Sequence, residues 1–209
     1  MKDRFTNISF KKYKALNRFS VVLNDFNILV GPNNAGKSTI IGAFRILSEG
    51  IRKARSRKPQ YFDHPSIKAM AYKVPLEGVP VATENIFTNY DDSEPAIIEF
   101  KLSSGNILQL IFTENETCFL VCKSKGKQVR TTTDFKRAYN ISVGFVPVLG
   151  PVEHNEFLYQ KEAARLALLT HKASRNFRNI WYHFPDKFAL FQEWIRSTWP
   201  GMDIEEPEV

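Results

Sequence analysis

The sequence predicts an α/β fold. The first sign is an alternating apolar segment pair that opens the chain. A glycine-rich turn then joins an apolar strand to a helix of amphipathic period, and a three-strand meander follows at residues 96–123. Phe5, Ile8 and Phe10, then Val21, Val22 and Leu23, read as a short β-hairpin. Phe26, Ile28, Leu29 and Val30 read as a buried strand that runs straight into residues 31–39. Ile40, Ile41, Ala43, Phe44, Ile46 and Leu47 then recur at helical spacing. Gly50 and a basic run predict where that helix ends. The run, Arg52 to Lys58, has two readings: a solvated helix C-terminus, where cations suit the macrodipole, or a phosphate-facing loop.

Residues 59–95 hold Pro59, Pro65, Pro75, Pro80 and Pro95, a spacing that predicts an irregular excursion. Ala96–Leu102, Ile107–Phe112 and Cys118–Lys123, joined by Ser-Ser-Gly-Asn and other short polar turns, predict antiparallel strands. Ile141–Val148 reads as a further strand. Beyond it the pattern turns helical. One amphipathic helix runs from Phe157 to Leu169, and another holds Phe188, Leu190, Phe191, Trp194 and Ile195 behind Pro185-Asp186. The predicted organisation is a lobe at 1–152, a helical segment at 153–199 and an acidic tail or continuation at 200–209.

Composition sets outer limits. A hydrophobic fraction of 43% and a charged fraction of 24% fit a soluble globular chain. No stretch nears the roughly 18–20 apolar residues of a membrane span, and the N-terminus has no signal-peptide core, so a cytoplasmic location is expected. Cys118 and Cys122 stand four apart on one strand. That is about 13 Å, beyond the roughly 7 Å a disulfide allows. The four histidines are scattered, so no metal site is expected from Cys and His. A net charge of +7 favours polyanion partners, DNA or RNA.

One motif carries chemistry. Gly31, Pro32, Asn33, Asn34, Ala35, Gly36, Lys37, Ser38 and Thr39 satisfy G-x-x-x-x-G-K-[ST] at every fixed position, between a strand and a helix. The glycines let the loop wrap phosphates so that backbone N–H groups point inward. The helix offers its positive end to the anion. Lys37 is expected to reach the β- and γ-phosphates, and Ser38 to give its hydroxyl to Mg²⁺. The expected cofactors are a nucleoside triphosphate, ATP, and Mg²⁺. The phosphate-binding residues do not separate ATP from GTP, but the Asn-Lys-x-Asp segment of a GTPase is absent.

The variant Gly-Pro-Asn-Asn-Ala-Gly-Lys-Ser-Thr resembles the Walker A of ABC-type ATPases related to SMC and RecF proteins. It is most similar to the "overcoming lysogenisation defect" (OLD) nucleases and related AAA-type ATPases of bacterial anti-phage systems. Ile8-Ser9-Phe10-Lys11-Lys12-Tyr13 fits their first strand, and the meander fits the antiparallel subdomain of an ABC ATP-binding lobe. The resemblance spans residues 4–199. It implies a P-loop NTPase of ABC-ATPase type and a Q-loop near 143–153. No glutamine stands at the end of that strand. Glu153 is an alternative metal-facing residue, and Gln160 reads as helix surface. Ser174–Asn179 is similar to the Arg-Asn segment of the group, which implies a partner-facing Arg178 or, equally, a capped helix turn.

Hydrolysis in this class also needs a Leu-Ser-x-Gly signature and a Walker B strand ending in Asp-Glu. Neither is found, and Glu205-Glu206-Pro207-Glu208 follows no apolar strand. Catalytic residues are therefore not assigned. The chain is expected to be truncated before Walker B, binding ATP but hydrolysing it poorly alone. The resemblance implies a homodimer or larger oligomer closed as an ABC-type sandwich, a DNA partner, and a downstream nuclease domain or partner subunit. The leading expectation is an ATPase module gating DNA processing in phage defence or repair. The alternative is a dimerising SMC- or RecF-like scaffold without nuclease activity. A transporter subunit fits less well.

Overall fold

In the computed structural model, residues 3–65, 67–77, 79, 85–113, 117–146, 155–168, 170 and 172–207 are described. The chain divides into two compact units, Met1–Gly144 and Phe145–Val209.

The first unit is built on an antiparallel sheet. Strands β1 (Phe5–Tyr13) and β2 (Leu16–Val22) form the opening hairpin. Helix α1 covers Lys37–Ser56. Strands β3 (Gln60–His64) and β4 (Ile67–Val74) make a second hairpin. The meander is β5 (Ala96–Leu102), β6 (Ile107–Thr113) and β7 (Thr117–Lys123). The seven strands lie in the order β2-β1-β5-β6-β7-β4-β3. Helix α2 (Thr132–Ala138) closes the unit behind a capping box. The Thr131 hydroxyl accepts from the Asp134 N–H, and the Asp134 carboxylate accepts from Thr131 N–H. These hydrogen bonds hold the Asp134 carboxyl below its ordinary pKa.

The hairpin and meander stand where the alternation predicts them. The β3–β4 hairpin replaces the first part of the expected irregular excursion, at residues 60–74, and the described residues of 75–95 form no strand. Pro59 precedes β3, Pro65 stands in the connection and Pro75 follows β4. Proline is compatible with such boundary positions because no ladder N–H is needed there.

Period-2 alternation puts Ile8, Phe10, Ile98, Phe100, Leu108, Leu110, Leu120 and Val74 into one buried cluster with Ile40, Ala43, Leu47, Ile51 and Ala54 of α1. Each such side chain contributes roughly 1.5–3 kcal/mol on burial. Edge contacts fix the start of the helix: the Phe44 ring lies 5.3 Å from Phe5 and 5.1 Å from Phe100. Gly50 fixes the other end. It does not terminate α1, as its residue type suggests. A Cβ there would lie 3.1 Å from Leu120 and 3.4 Å from Val74, so the missing side chain lets the helix lie on β7 and β4. The helix therefore continues to Ser56, and Arg52, Lys53 and Arg55 are helical, not part of a loop.

The expected buried strand at 26–30 is not formed. Those residues hold no strand, and Phe26, Ile28 and Val30 are 79%, 71% and 87% exposed. The alternation is intact: Leu29, on the opposite side, packs against the core. Among the described residues no neighbouring strand pairs with this segment. Residues 141–146 likewise form no strand, and 147–148 lie outside the described residues. Cys118 and Cys122 are unbridged, as their spacing requires.

The second unit contains α3 (Lys161–Ala167), α4 (Phe177–His183) and α5 (Phe188–Thr198). The long helix expected from Phe157 is confined to α3, because residues 156–159 are not helical and are tied to α4 instead. Asn179 is fully buried. Its Nδ2 donates to Glu156 Oε1 and to the Phe157 carbonyl, both at 2.7 Å, while its Oδ1 accepts from Tyr159 N–H at 2.6 Å. Glu156 also accepts the N–H groups of Arg178 and Asn179, capping α4. Phe177, Phe188 and Phe191 pack around Trp181. No described helix is long and apolar enough to cross a membrane.

Two substitutions test these packing arguments. Gly50→Leu overpacks the α1–β7 contact and is expected to cost about 1–3 kcal/mol, read as a lowered far-UV melting temperature. Asn179→Leu leaves Tyr159 N–H and part of Glu156 unsatisfied, at about 1–3 kcal/mol for each lost partner. The three tryptophans, Trp181, Trp194 and Trp199, all lie in the second unit. Their fluorescence is expected to show an earlier urea transition in that variant, and an unchanged midpoint would contradict the role given to Asn179.

Candidate phosphate-binding site

The motif residues form an exposed loop at the N-terminus of α1. The loop's shape follows from local backbone preferences. Gly36 is the N-cap residue and lies in the left-handed region, at φ 85°. Asn34 shares that region at φ 66°, and asparagine tolerates it better than other side chains. Ala35 N–H donates to the Pro32 carbonyl at 3.3 Å, which closes the turn. Ile40 N–H donates to the Gly36 carbonyl at 3.0 Å, the first hydrogen bond of α1.

Lys37 bends back across the loop. Its ammonium donates to the carbonyls of Gly31 and Pro32 at 2.6 and 2.7 Å. Gly31, Pro32, Asn33, Asn34, Ala35 and Ser38 are exposed, whereas Gly36, Lys37 and Thr39 are half-buried. Ser38 stands on the first turn of the helix. Leu16 of β2 supports the loop from below, since a Cβ on Gly36 would lie 3.5 Å from its side chain. The motif alone gave no sign of Leu16, because its contribution depends on how the hairpin is placed.

The residues present fit a phosphate chain. No side chain caps α1 and no acidic residue stands in its first turn. The N–H groups of that turn are thus left for an external acceptor, and the macrodipole of a 20-residue helix favours that acceptor being an anion. Lys37 adds a full positive charge at the same place. This combination, with Gly36 left-handed, is an anion cradle.

The other residues singled out in the sequence lie elsewhere. Glu153 and residues 147–152 are outside the described residues. Gln160 is exposed at the start of α3 and makes no side-chain cap. Arg178 is half-buried on α4, and it is the neighbouring Asn179 that is buried and multiply bonded. The Ser174–Asn179 segment thus has the form of a capped helix start. Asp203 pairs with Arg196 at 2.6 Å, and Met202–Pro207 forms no strand. Among the described residues, no three His, Cys, Asp or Glu side chains group to hold a metal ion.

No curated protein matches the chain. A family model described as the AAA ATPase domain matches residues 4–189. With its antiparallel sheet, its P-loop and this match over most of its length, the chain belongs to the AAA ATPase domain family of P-loop ATPases.

Proposed function

We propose that residues 31–39 bind Mg²⁺-ATP and that the chain is the nucleotide-binding half of an ATPase that acts on DNA. The observation that carries the reading is the uncapped, acid-free N-terminus of α1 with Lys37 beside it. On this reading the first-turn N–H groups take the β-phosphate, and Lys37 leaves the Gly31 and Pro32 carbonyls for the β- and γ-phosphates. The Ser38 hydroxyl holds Mg²⁺. The bound metal polarises the phosphates. The chain's own residues position them and offset their charge.

Hydrolysis needs further groups. The bare segment at 26–30 supports the view that more polypeptide completes this fold. Its Phe26, Ile28 and Val30 form a strand-like apolar row with no ladder partner among the described residues. Beside it lies a cleft of about 440 Å³, walled by Phe5, Leu29, Ile40, Ile41, Phe44 and Ile141. A Walker B strand pairing with 26–30 would cover both and bring its carboxylates next to Ser38. It is supplied either by continuation of the same chain or by a partner subunit. Two copies facing each other as an ABC-type sandwich would then cover each exposed P-loop.

The DNA-directed part rests on charge. The first unit carries 22 Lys and Arg against 13 Asp and Glu, and the second 7 against 9, so the excess of cations belongs to the P-loop unit. An OLD-like nuclease in phage defence or repair is the specific activity that the Walker A variant supports.

Calorimetric titration with Mg²⁺-ATP tests the nucleotide reading. Wild type is expected to bind, and Lys37→Ala to bind at least about tenfold more weakly, the loss of roughly one charge-assisted contact. Equal affinity of the two would remove Lys37 from the site. In the protein completed by its Walker B half, ATP is expected to change DNA binding or cleavage, and no change would overturn the DNA-directed reading.

A further inference from the structure

The C-terminal end of α1 lies about 30 Å from the P-loop, at the 1.5 Å rise of a helix, and it meets a second basic segment there. The chain leaves α1 through Arg57 and Lys58 into Pro59 and β3. Lys123 ends β7, and the loop after it carries Lys125, Lys127 and Arg130. All six of these cations are exposed. A cleft of about 340 Å³ joins the two segments, lined by Pro59, Tyr61, Lys68, Tyr72, Lys123 and Gln128 among others. Among the described residues, Arg57, Lys58 and Lys123 form no ion pair. The acids nearby are engaged: Glu49 with Arg52, Asp63 with Lys68, and Asp134 in the cap of α2.

The basic loop is held in place. Asn106, itself buried, accepts from Lys125 N–H at 2.9 Å and donates to the Ala138 carbonyl at 2.7 Å, fixing the loop to β6 and α2. The Arg130 guanidinium donates to Gln128 Oε1. Two aromatic residues give the cleft a flat component. Tyr61 is 63% exposed, so its ring face is open to a ligand. Tyr72 is buried and its hydroxyl has no hydrogen-bond partner among the described residues.

We infer that this cleft binds single-stranded nucleic acid, its backbone following Arg57, Lys58 and Lys123 and a base stacking on Tyr61. Cations without carboxylate partners attract a phosphate chain through counterion release. An exposed ring inside the basic tract supplies the sequence-tolerant stacking that single strands use and duplexes do not. An acidic protein segment would use the cations but would leave the ring without a function. The inference deepens the DNA-directed reading above by naming the strand form and its place. It does not depend on ATP binding.

The test is fluorescence anisotropy of the full chain with a labelled oligothymidylate. Tyr61→Ala is expected to weaken binding about tenfold, Tyr61→Phe to restore it, and Lys58→Glu/Lys123→Glu to flatten the salt slope by about 1.4. ATP affinity should be unchanged in all three, because the P-loop is at the far end of α1. Unchanged oligonucleotide binding in the Tyr61 and lysine variants overturns the cleft but leaves the DNA-directed reading standing. Absence of binding by wild type overturns the cleft, whereas the DNA-directed reading falls only if the completed protein shows no ATP-dependent change on DNA. Displacement by polyglutamate at equal affinity, with Tyr61→Ala without effect, would assign the cleft to an acidic protein instead.

Discussion

Helix α1 lies across the antiparallel sheet, and the position of the P-loop follows from that one contact. Phe44 holds its first turns against Phe5 and Phe100, and Gly50 seats its last turns on Leu120 and Val74. A helix fixed at both ends presents its N-terminal N–H groups in one direction. Those groups have no side-chain cap, so the sheet in effect aims an unsatisfied positive end at whatever occupies the loop. Gly50 illustrates how costs are weighed in such a contact. A glycine within a helix costs up to about 1 kcal/mol against alanine, but an added Cβ would press on Leu120 at 3.1 Å.

The same helix separates the two proposed sites in space. Its N-terminus meets a loop suited to phosphates, and its C-terminus meets a basic, aromatic cleft of a different character. Near the first end lies an apolar row at 26–30 without a ladder partner among the described residues. An ATPase whose catalytic half docks on that row, and whose nucleic acid lies at the other end of α1, would couple the two through a rigid element about 30 Å long.

Much of this was legible in the sequence. The P-loop has fixed glycine, lysine and serine positions because phosphate chemistry demands them, and the meander announces itself by alternation and polar turns. The failures have physical causes. The segment 26–30 has the composition of a buried strand, yet a strand exists only where another backbone pairs with it. The prolines of 59–95 read as disruption because a proline list does not distinguish a strand's interior from its ends. Gly50 read as a stop signal because its contact, Leu120, lies 70 residues away. Asn179 was read only as the end of the 174–179 segment, because a buried amide with partners on a non-helical segment leaves no local pattern. Tyr61 and the Lys123–Arg130 loop were unremarkable apart, and only the fold brings them to one cleft.

The most direct measurement of the central claim is the set of amide chemical shifts in an isotope-labelled chain titrated with Mg²⁺-ATP. Phosphates held on the N-terminus of α1 must perturb the N–H groups of Gly36, Lys37 and Ser38 first and most strongly, with residues around Tyr61 unaffected. Saturation that leaves those three amides in place, or shifts confined to other segments, would contradict the account.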